Sequence, residues 1–155
     1  MLYVSENFLS KNECRELIEL YENNSNLCYQ HRSTFPMRLI DFTEDNNLVT
    51  FVNNKVIKTC SELFSNQTLK LENYEIVKWP INSNQNPHYD RGDACAAVIY
   101  LNDDFIGGKT CFDFGDTIKI SPETGKCLIF SNSKYLHWVE EIQTNMRYTL
   151  SYWFV

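Results

Sequence analysis

Apolar residues in the first third of the chain recur at the spacing of amphipathic helices. One set follows the i, i+3, i+4, i+7 pattern and consists of Cys14, Leu17, Ile18 and Tyr21. Ser10 and Glu13, three positions apart at the start of this set, are typical of a capping box. A second stripe follows Asp45 and consists of Leu48, Val52, Val56, Cys60 and Leu63. The pattern predicts two helices, the first ending near residue 23 and the second covering about 45–63, with a strand at 37–42 between them.

After about residue 70 the pattern changes to short apolar or alternating segments, which are typical of strands. The predicted strands are 74–79, 94–101, 109–114, 117–120, 126–130 and 146–155. Turn signals separate them, including a Gly pair at 107–108 and the stretch 122–125. Several short strands at this spacing favour a mainly β sandwich or jelly roll, with the N-terminal helices packed against one face. We expect one domain over 1–155, in which 1–70 is helical support and 71–155 is the β core.

Length, charge and cysteine usage exclude several classes of protein. A chain of 155 residues suits a single compact domain. Its formal net charge of −6 disfavours general nucleic-acid binding and docking on anionic membranes. No apolar run approaches the about 20 residues needed to cross a bilayer, and the N-terminus lacks the features of a secretory signal. Six cysteines without a C-x-x-C pair favour reduced, mostly buried thiols in a cytoplasmic protein.

Two of the three histidines lie in a pattern that suits a metal site. His88 and Asp90 are two positions apart, so on an extended segment their side chains point to the same side. His137, which lies between two predicted strands, could supply a third ligand. Two imidazoles and one carboxylate on one face of an octahedron leave adjacent positions open, as non-haem Fe(II) oxygenases require. Taken alone, an H-x-D sequence is common by chance, and a histidine beside Trp138 is more often a core residue.

Arg147 is the charged residue of the apolar last strand. Alternation along 146–155 places Arg147, Thr149, Ser151 and Trp153 on one face of the strand. A guanidinium buried there would need an anion, and it could bind a carboxylate through two parallel hydrogen bonds. The alternative is an arginine at a sheet edge that faces solvent or pairs with an acidic side chain.

From residue 74 to the C-terminus the sequence resembles the prolyl-hydroxylase-like branch of the Fe(II)/2-oxoglutarate-dependent dioxygenases. The matching stretches are IVKWPINSNQNPHYD (76–90), VIYLNDD (98–104), GGKTCF (107–112), ISPETGKCLIF (120–130), HWV (137–139) and MRYTLSYWF (146–154). They cover about half of the chain and occur in the order that the family shows. The resemblance implies a double-stranded β-helix, a cupin-like jelly roll, buttressed by two or three helices.

The resemblance also assigns roles to individual residues. It places His88, Asp90 and His137 on the iron ligands of the family, and Arg147 on the residue that anchors the far carboxylate of 2-oxoglutarate. Tyr100 matches a tyrosine that donates to the same carboxylate, and Thr149 is a further candidate donor. Trp79 stands where relatives often have a tyrosine that contacts the cosubstrate. Gln85 replaces another tyrosine of the collagen-type enzymes, which weakens the inference of prolyl specificity.

The implied activity is hydroxylation of a prolyl residue in a peptide or protein, with release of succinate and CO2. The implied cofactors are Fe(II), 2-oxoglutarate as cosubstrate and O2, with ascorbate as an additional candidate. Two alternatives stay open: a hydroxylase of the same chemistry acting on a free amino acid or another small molecule, and a non-catalytic jelly-roll binding module. The presence of His88, Asp90, His137 and Arg147 together favours the enzyme, because a degenerate binding module typically lacks one of them.

Overall fold

The computed structural model describes residues 1–43, 45–90, 94–131 and 133–155. These residues form a mainly β protein with two α-helices. In chain order the elements are β1 (Leu2–Ser5), α1 (Lys11–Asn23), β2 (Phe35–Arg38), α2 (Asn47–Leu63), β3 (Leu71–Trp79), β4 (Gln85–His88), β5 (Ala96–Tyr100), β6 (Ile106–Gly107), β7 (Thr110–Asp113), β8 (Thr117–Ile120), β9 (Cys127–Phe130), β10 (His137–Val139), β11 (Ile142–Thr144) and β12 (Arg147–Phe154).

The strands form antiparallel sheets. The larger sheet has six strands in the order β1-β9-β5-β12-β3-β2, and a second sheet has four in the order β4-β10-β7-β8. A small ribbon pairs β11 with β6. Neighbours in these sheets are mostly distant along the chain, so the sheets bring distant segments of the sequence side by side.

Strand β12 lies inside the larger sheet between β3 and β5, and its two faces have different surroundings. On one face Tyr148, Leu150, Tyr152 and Phe154 belong to the main hydrophobic core, together with buried residues of α1 and α2. The opposite face presents Arg147, Thr149, Ser151 and Trp153 to a cavity. The predicted alternation of this strand therefore describes its two environments correctly.

Both helices begin at side-chain caps. The Ser10 hydroxyl accepts from the Glu13 backbone N–H, and the Glu13 carboxylate accepts from the Ser10 N–H, which completes the predicted capping box. In α2 the Asn46 side chain accepts from the Val49 N–H, so this helix begins two residues later than predicted.

Residues 1–70 contain more than helices. They supply β1 and β2, which form the two edges of the larger sheet. The strand predicted at 37–42 is wrong in part, because β2 ends at Arg38 and Ile40–Phe42 forms a 3-10 helix. β4, β6, β10 and β11 lie outside the predicted strands, because β4 is polar and contains Pro87 and the other three have only two or three residues each.

The six cysteines are free, and five of them are buried. They are therefore thiols packed in or beside the core, as their spacing predicts. Among the described residues, no helix is long and apolar enough to span a membrane.

Gly125 connects the N-terminal segment to the end of β5. Its N–H donates to the Tyr100 carbonyl, and its carbonyl accepts from the Leu9 N–H. The residue has a φ of +84°, and a Cβ at this position would lie 2.0 Å from the Leu9 carbonyl oxygen. Only glycine satisfies both conditions without displacing backbone.

We therefore expect Gly125→Ala to lower the free energy of unfolding by more than about 2 kcal/mol, because strain and a backbone clash combine. Gly115→Ala is the matched control, since Gly115 also has a positive φ but has nothing within 4 Å of the added Cβ. This control should cost only about 1 kcal/mol. Urea denaturation of both variants measures the difference, and equal losses would contradict the close contact with Leu9.

Candidate active site

The pairing of β4 with β10 brings together the three predicted metal ligands. His88 is the last residue of β4 and lies directly opposite His137, the first residue of β10. Asp90 follows β4 by two residues. One ligand atom from each of the three side chains lies within 4.8 Å of the others, which is the arrangement needed to hold one metal ion. His137 is buried, whereas His88 and Asp90 are half-buried.

Each imidazole is oriented by a backbone carbonyl behind it. Nδ1 of His88 lies 2.8 Å from the Asn86 carbonyl oxygen, and Nδ1 of His137 lies 2.9 Å from that of Tyr135. A carbonyl can only accept, so Nδ1 carries the proton in both rings and Nε2 of a neutral ring retains its lone pair. Phe130 packs against the His137 ring with centroids 4.9 Å apart, which restricts its rotation. Both Nε2 atoms face Asp90, as metal ligands would.

The spacing and charge of the three side chains fit a divalent metal. Nε2 of His88 lies 3.4 Å from Oδ1 of Asp90, and Nε2 of His137 lies 3.5 Å from Oδ2. Adjacent ligands on an octahedral ion with bonds of about 2.1 Å are about 3 Å apart, so small movements would complete the coordination. Burial alone would raise the pKa of the Asp90 carboxyl, but hydrogen bonding and charge from the protonated forms of His137 and His88 lower it to about 2. The carboxylate is therefore ionised over the physiological range.

Arg147 lies in the same cavity and is almost completely buried, with 1% of its surface exposed. Its Nε and Nη1 atoms have no hydrogen-bond partner among the described residues, and Nη2 has one long contact of 3.4 Å to the Thr110 hydroxyl. The guanidinium carbon lies 4.6 Å from the Trp79 ring and 5.4 Å from the Tyr100 ring. Burial lowers the pKa of Arg147 to about 10, so the group remains charged at neutral pH.

A buried guanidinium with two free donors needs an anion, because unpaired buried charge is strongly unfavourable. Two aromatic faces stabilise the cation partly but do not accept its hydrogen bonds. The geometry therefore defines a carboxylate-sized anion site beside the metal ligands.

The polar side chains near this guanidinium are linked in two hydrogen-bonded pairs. The Tyr100 hydroxyl donates to the Thr110 hydroxyl over 2.6 Å, and burial raises the pKa of Tyr100. The Trp79 indole N–H donates to the Thr149 hydroxyl over 3.1 Å. Trp79 and Thr149 thus contact each other on the wall of the cavity, which leaves the Thr149 proton free to donate to a bound group.

The metal ligands and Arg147 share one cavity of about 660 Å³. Its wall includes all the site residues predicted from the sequence except Tyr100, which lies behind Thr110. His31 and Arg32 lie at its exposed rim, as does Tyr89. Trp153, which alternation places on the same face as Arg147, also lines the cavity and is half-buried.

Sequence reasoning missed several polar residues of this cavity, among them Thr110 and Glu75. Thr110 lies in a predicted strand, and its alternation with Phe112 is a signal that both face inward. Glu75 shares a face of β3 with Val77 and Trp79, so the same alternation indicates a buried carboxylate. Thr110 lies in one of the matching stretches but has no role assigned by the resemblance, and Glu75 lies just outside them.

Comparison with known protein families gives a match to the model described as the 2OG-Fe(II) oxygenase superfamily, over residues 71–155. This segment is more than half of the chain and contains every predicted site residue. No curated protein sequence matches the chain significantly.

Solved structures similar to the chain include three prolyl hydroxylases. The prolyl hydroxylase from Trichoplax adhaerens, in complex with a peptide fragment of the hypoxia inducible factor oxygen degradation domain, has a TM-score of 0.82 at 17% identity, covering 99% of this chain and 82% of that one. The viral collagen prolyl hydroxylase from Paramecium Bursaria Chlorella virus-1, in its 2OG complex, has a TM-score of 0.77 at 18% identity, with coverages of 99% and 94%. A prolyl-4-hydroxylase from Pseudomonas putida has a TM-score of 0.69 at 17% identity, with coverages of 99% and 91%. At these identities the likeness concerns the fold.

The unpaired charge of Arg147 leads to a prediction about stability. Arg147→Met should raise the free energy of unfolding of the ligand-free protein by about 1–4 kcal/mol, because an apolar side chain of similar volume removes the buried charge. The same variant should lose the increase in Tm that Fe(II) and 2-oxoglutarate give the wild type under anaerobic conditions. Thermal unfolding with and without these ligands measures both effects.

Arg15→Met is the control, since the Arg15 side chain is 66% exposed and its ion pair with Glu19 is a surface contact. It should change stability by less than about 0.5 kcal/mol and should leave the ligand response intact. An Arg147→Met variant that is destabilised, or that still responds to 2-oxoglutarate, would contradict the anion site.

Proposed function

The chain belongs to the 2OG-Fe(II) oxygenase superfamily, and from that premise we propose that it hydroxylates a prolyl residue of a peptide or protein, with release of succinate and CO2. Membership of the family makes the protein a dioxygenase that uses Fe(II), 2-oxoglutarate and O2. The resemblance seen in the sequence is thereby confirmed, and the choice of prolyl substrate is the proposal.

The observation that supports the proposal is the joint presence of a three-ligand metal cluster and a buried cation in one cavity. A 2-oxo dicarboxylate has two features that match this pair: a carboxylate with an adjacent oxo group that can chelate a metal, and a second carboxylate at its other end. A binding module without catalysis would have no need for both.

In this proposal His88, Asp90 and His137 hold the iron, and Arg147 binds the far carboxylate of 2-oxoglutarate. Together, bound iron and 2-oxoglutarate supply the activation of O2 that inserts one oxygen atom into a C–H bond. In each histidine the Nδ1–H group donates a hydrogen bond to a backbone carbonyl, so the Nε2 lone pair stays available to the metal. The Thr149 hydroxyl lines the same cavity and can donate to this carboxylate, and Trp79 positions Thr149. Tyr100 donates to Thr110, so it acts on the bound carboxylate through the Thr110 hydroxyl.

The polypeptide substrate is supported by the shape of the cavity and by the similar structures. The cavity reaches the exposed side chains His31, Arg32 and Tyr89 at its rim, so an extended chain could lie across the opening while one residue enters. The similar Trichoplax protein is described in complex with a peptide fragment. We further infer that the two facing sheets form a double-stranded β-helix, because both sheets are antiparallel and enclose the cavity.

The test is succinate release from 2-oxoglutarate in the presence of Fe(II) and proline-containing peptides, with product mass as the second readout. Peptide addition should stimulate succinate release and should add one oxygen atom to the peptide. Asp90→Ala should lower the rate of succinate release by more than about 100-fold. Mutation of a residue that only orients a metal ligand already costs about 10–100-fold in metal affinity or activity, and Asp90 is a ligand itself. The variant should also abolish the weak visible band that wild-type protein gives with Fe(II) and 2-oxoglutarate under anaerobic conditions.

Asp41→Ala removes an exposed carboxylate that does not line the cavity and serves as the control, with unchanged rate and spectrum. Succinate release that no proline peptide stimulates, while a free amino acid does so, would refute the prolyl substrate but leave the iron chemistry in place. An Asp90→Ala variant with the wild-type spectrum would refute the metal site.

A further inference from the structure

The wall of the cavity formed by β3 contains a buried acidic residue that the metal and cosubstrate sites do not use. Glu75 is 4% exposed and lines the same cavity as the metal ligands. It points to the cavity side of the sheet, since its neighbours Tyr74 and Ile76 belong to the core beneath the helices. A carboxylate in such a position is costly unless it is paired.

The partners of Glu75 leave its charge only partly compensated. The Tyr29 hydroxyl donates to Oε1 over 2.5 Å, and the Asn73 amide donates to the same atom over 2.9 Å. Both donors are neutral. Among the described residues the nearby cation is Arg38, whose Nε lies 3.8 Å from Oε1, beyond hydrogen-bond distance, and whose side chain is 65% exposed. The contacts recorded for Glu75 all involve Oε1, which leaves Oε2 available to a ligand.

Glu75 lies in the larger sheet, whereas His88 and His137 lie in the four-stranded sheet, and all three line the same cavity. Glu75 pairs with Ser151, and Ser151 pairs with Val98 of β5. Two residues from Val98, Ala96 pairs with Phe130, which packs against the His137 ring. Adjacent strands are about 4.8 Å apart, so the backbone at Glu75 lies about 10 Å across the sheet from the part of β5 that neighbours Phe130.

We propose that Glu75 binds a positively charged nitrogen of the substrate, an ammonium or a guanidinium group. The inference rests on the proposed function, because it describes the same substrate. In a peptide an extended residue covers about 3.3–3.6 Å, so the charge belongs to a Lys or Arg within about three residues of the hydroxylated proline. In a small molecule the same charge would be an amino group at a similar distance from the hydroxylated carbon.

Charge and preorganisation favour this cation at Glu75 over the rim of the cavity. Arg32 lies at the exposed rim and repels a positive group placed there. The hydrogen bonds from Tyr29 and Asn73 hold the carboxylate in place before a ligand arrives, which lowers the entropy cost of binding. Burial, together with the hydrogen bond to Glu75, raises the pKa of Tyr29, so its hydroxyl remains a donor at neutral pH.

The test uses three proline peptides that differ only in one residue two positions from the proline, which is Lys, Gln or Glu. We expect the wild type to turn over the Lys peptide with a kcat/KM at least about 10-fold above that for the Gln peptide, and the Glu peptide to be poorest. Glu75→Gln keeps the size and a hydrogen-bond acceptor but removes the charge, so it should reduce the Lys-to-Gln ratio to below about 3-fold. Equal ratios in the wild type and Glu75→Gln would overturn the proposal.

Two further variants separate this site from general charge and from misfolding. Glu62→Gln removes an exposed carboxylate on α2 that does not line the cavity, and it should retain the wild-type ratio. Tyr29→Phe removes one donor to Glu75 but keeps its charge, so it should also retain the preference for Lys. A loss of preference in Glu62→Gln equal to that in Glu75→Gln would overturn the proposal, because the effect would then be long-range.

Binding experiments distinguish this inference from the proposed function. Under anaerobic conditions with Fe(II) and 2-oxoglutarate, titration with the Lys and Gln peptides, and with free L-lysine against L-norleucine, measures affinity without turnover. If the charged member of a pair binds more strongly to the wild type, and this difference disappears in Glu75→Gln, the cation site is supported. That conclusion holds even when no peptide is hydroxylated, and in that case only the prolyl proposal fails. If Glu75 increases the affinity for free L-lysine but not for the Lys peptide, the source of the charge is a small-molecule amine. Equal affinities within both pairs would refute the cation site.

Discussion

The burial of the Arg147 guanidinium without an anion among the described residues is the constraint on which the site depends. Within that part of the chain its Nε and Nη1 have no hydrogen-bond partner, and two aromatic rings lie against it. A free side chain would move to solvent to regain those hydrogen bonds, but Arg147 is the first residue of a strand that is hydrogen-bonded to a neighbour there. The fold therefore holds an unfavourable charge in place, and the energy stored there becomes available when a carboxylate binds.

The fixed position of Arg147 depends on the opposite face of β12. Tyr148, Leu150, Tyr152 and Phe154 are all buried in the core against the helices, so that β12 cannot slide or rotate without exposing them. A one-residue shift would reverse the two faces and would place Arg147 in the apolar core. The metal ligands depend on a different contact, the β4–β10 pairing, which sets His88 directly opposite His137. The anion site and the metal site are thus built by separate sheets that meet at one cavity.

Periodicity and motif spacing predict much of this arrangement, and the exceptions have physical causes. The two faces of β12, the capping box at Ser10 and the pairing of His88 with Asp90 follow from local spacing, which a sequence displays directly. His137 is distant along the chain, and the resemblance to the family is what assigned it to the same cluster. The strand at 37–42 was overextended because Ile40 and Phe42 are apolar, but their helical turn is decided by tertiary contacts. Glu75 was missed because its burial depends on Tyr29 and Asn73, and Tyr29 is 46 positions away in the chain.

Charge balance in the filled cavity explains why Glu75 is best understood as part of substrate recognition. The positive charges of Arg147 and Fe(II) are balanced by the negative charges of Asp90 and a dianionic 2-oxoglutarate, so these four groups together are neutral. Glu75 is outside that balance, and Arg38 is too exposed and too distant from Oε1 to neutralise it fully. A buried carboxylate that served only to brace Tyr29 and Asn73 could be replaced by a neutral glutamine at lower desolvation cost. A negative charge at this position becomes favourable when the incoming molecule brings the compensating positive one.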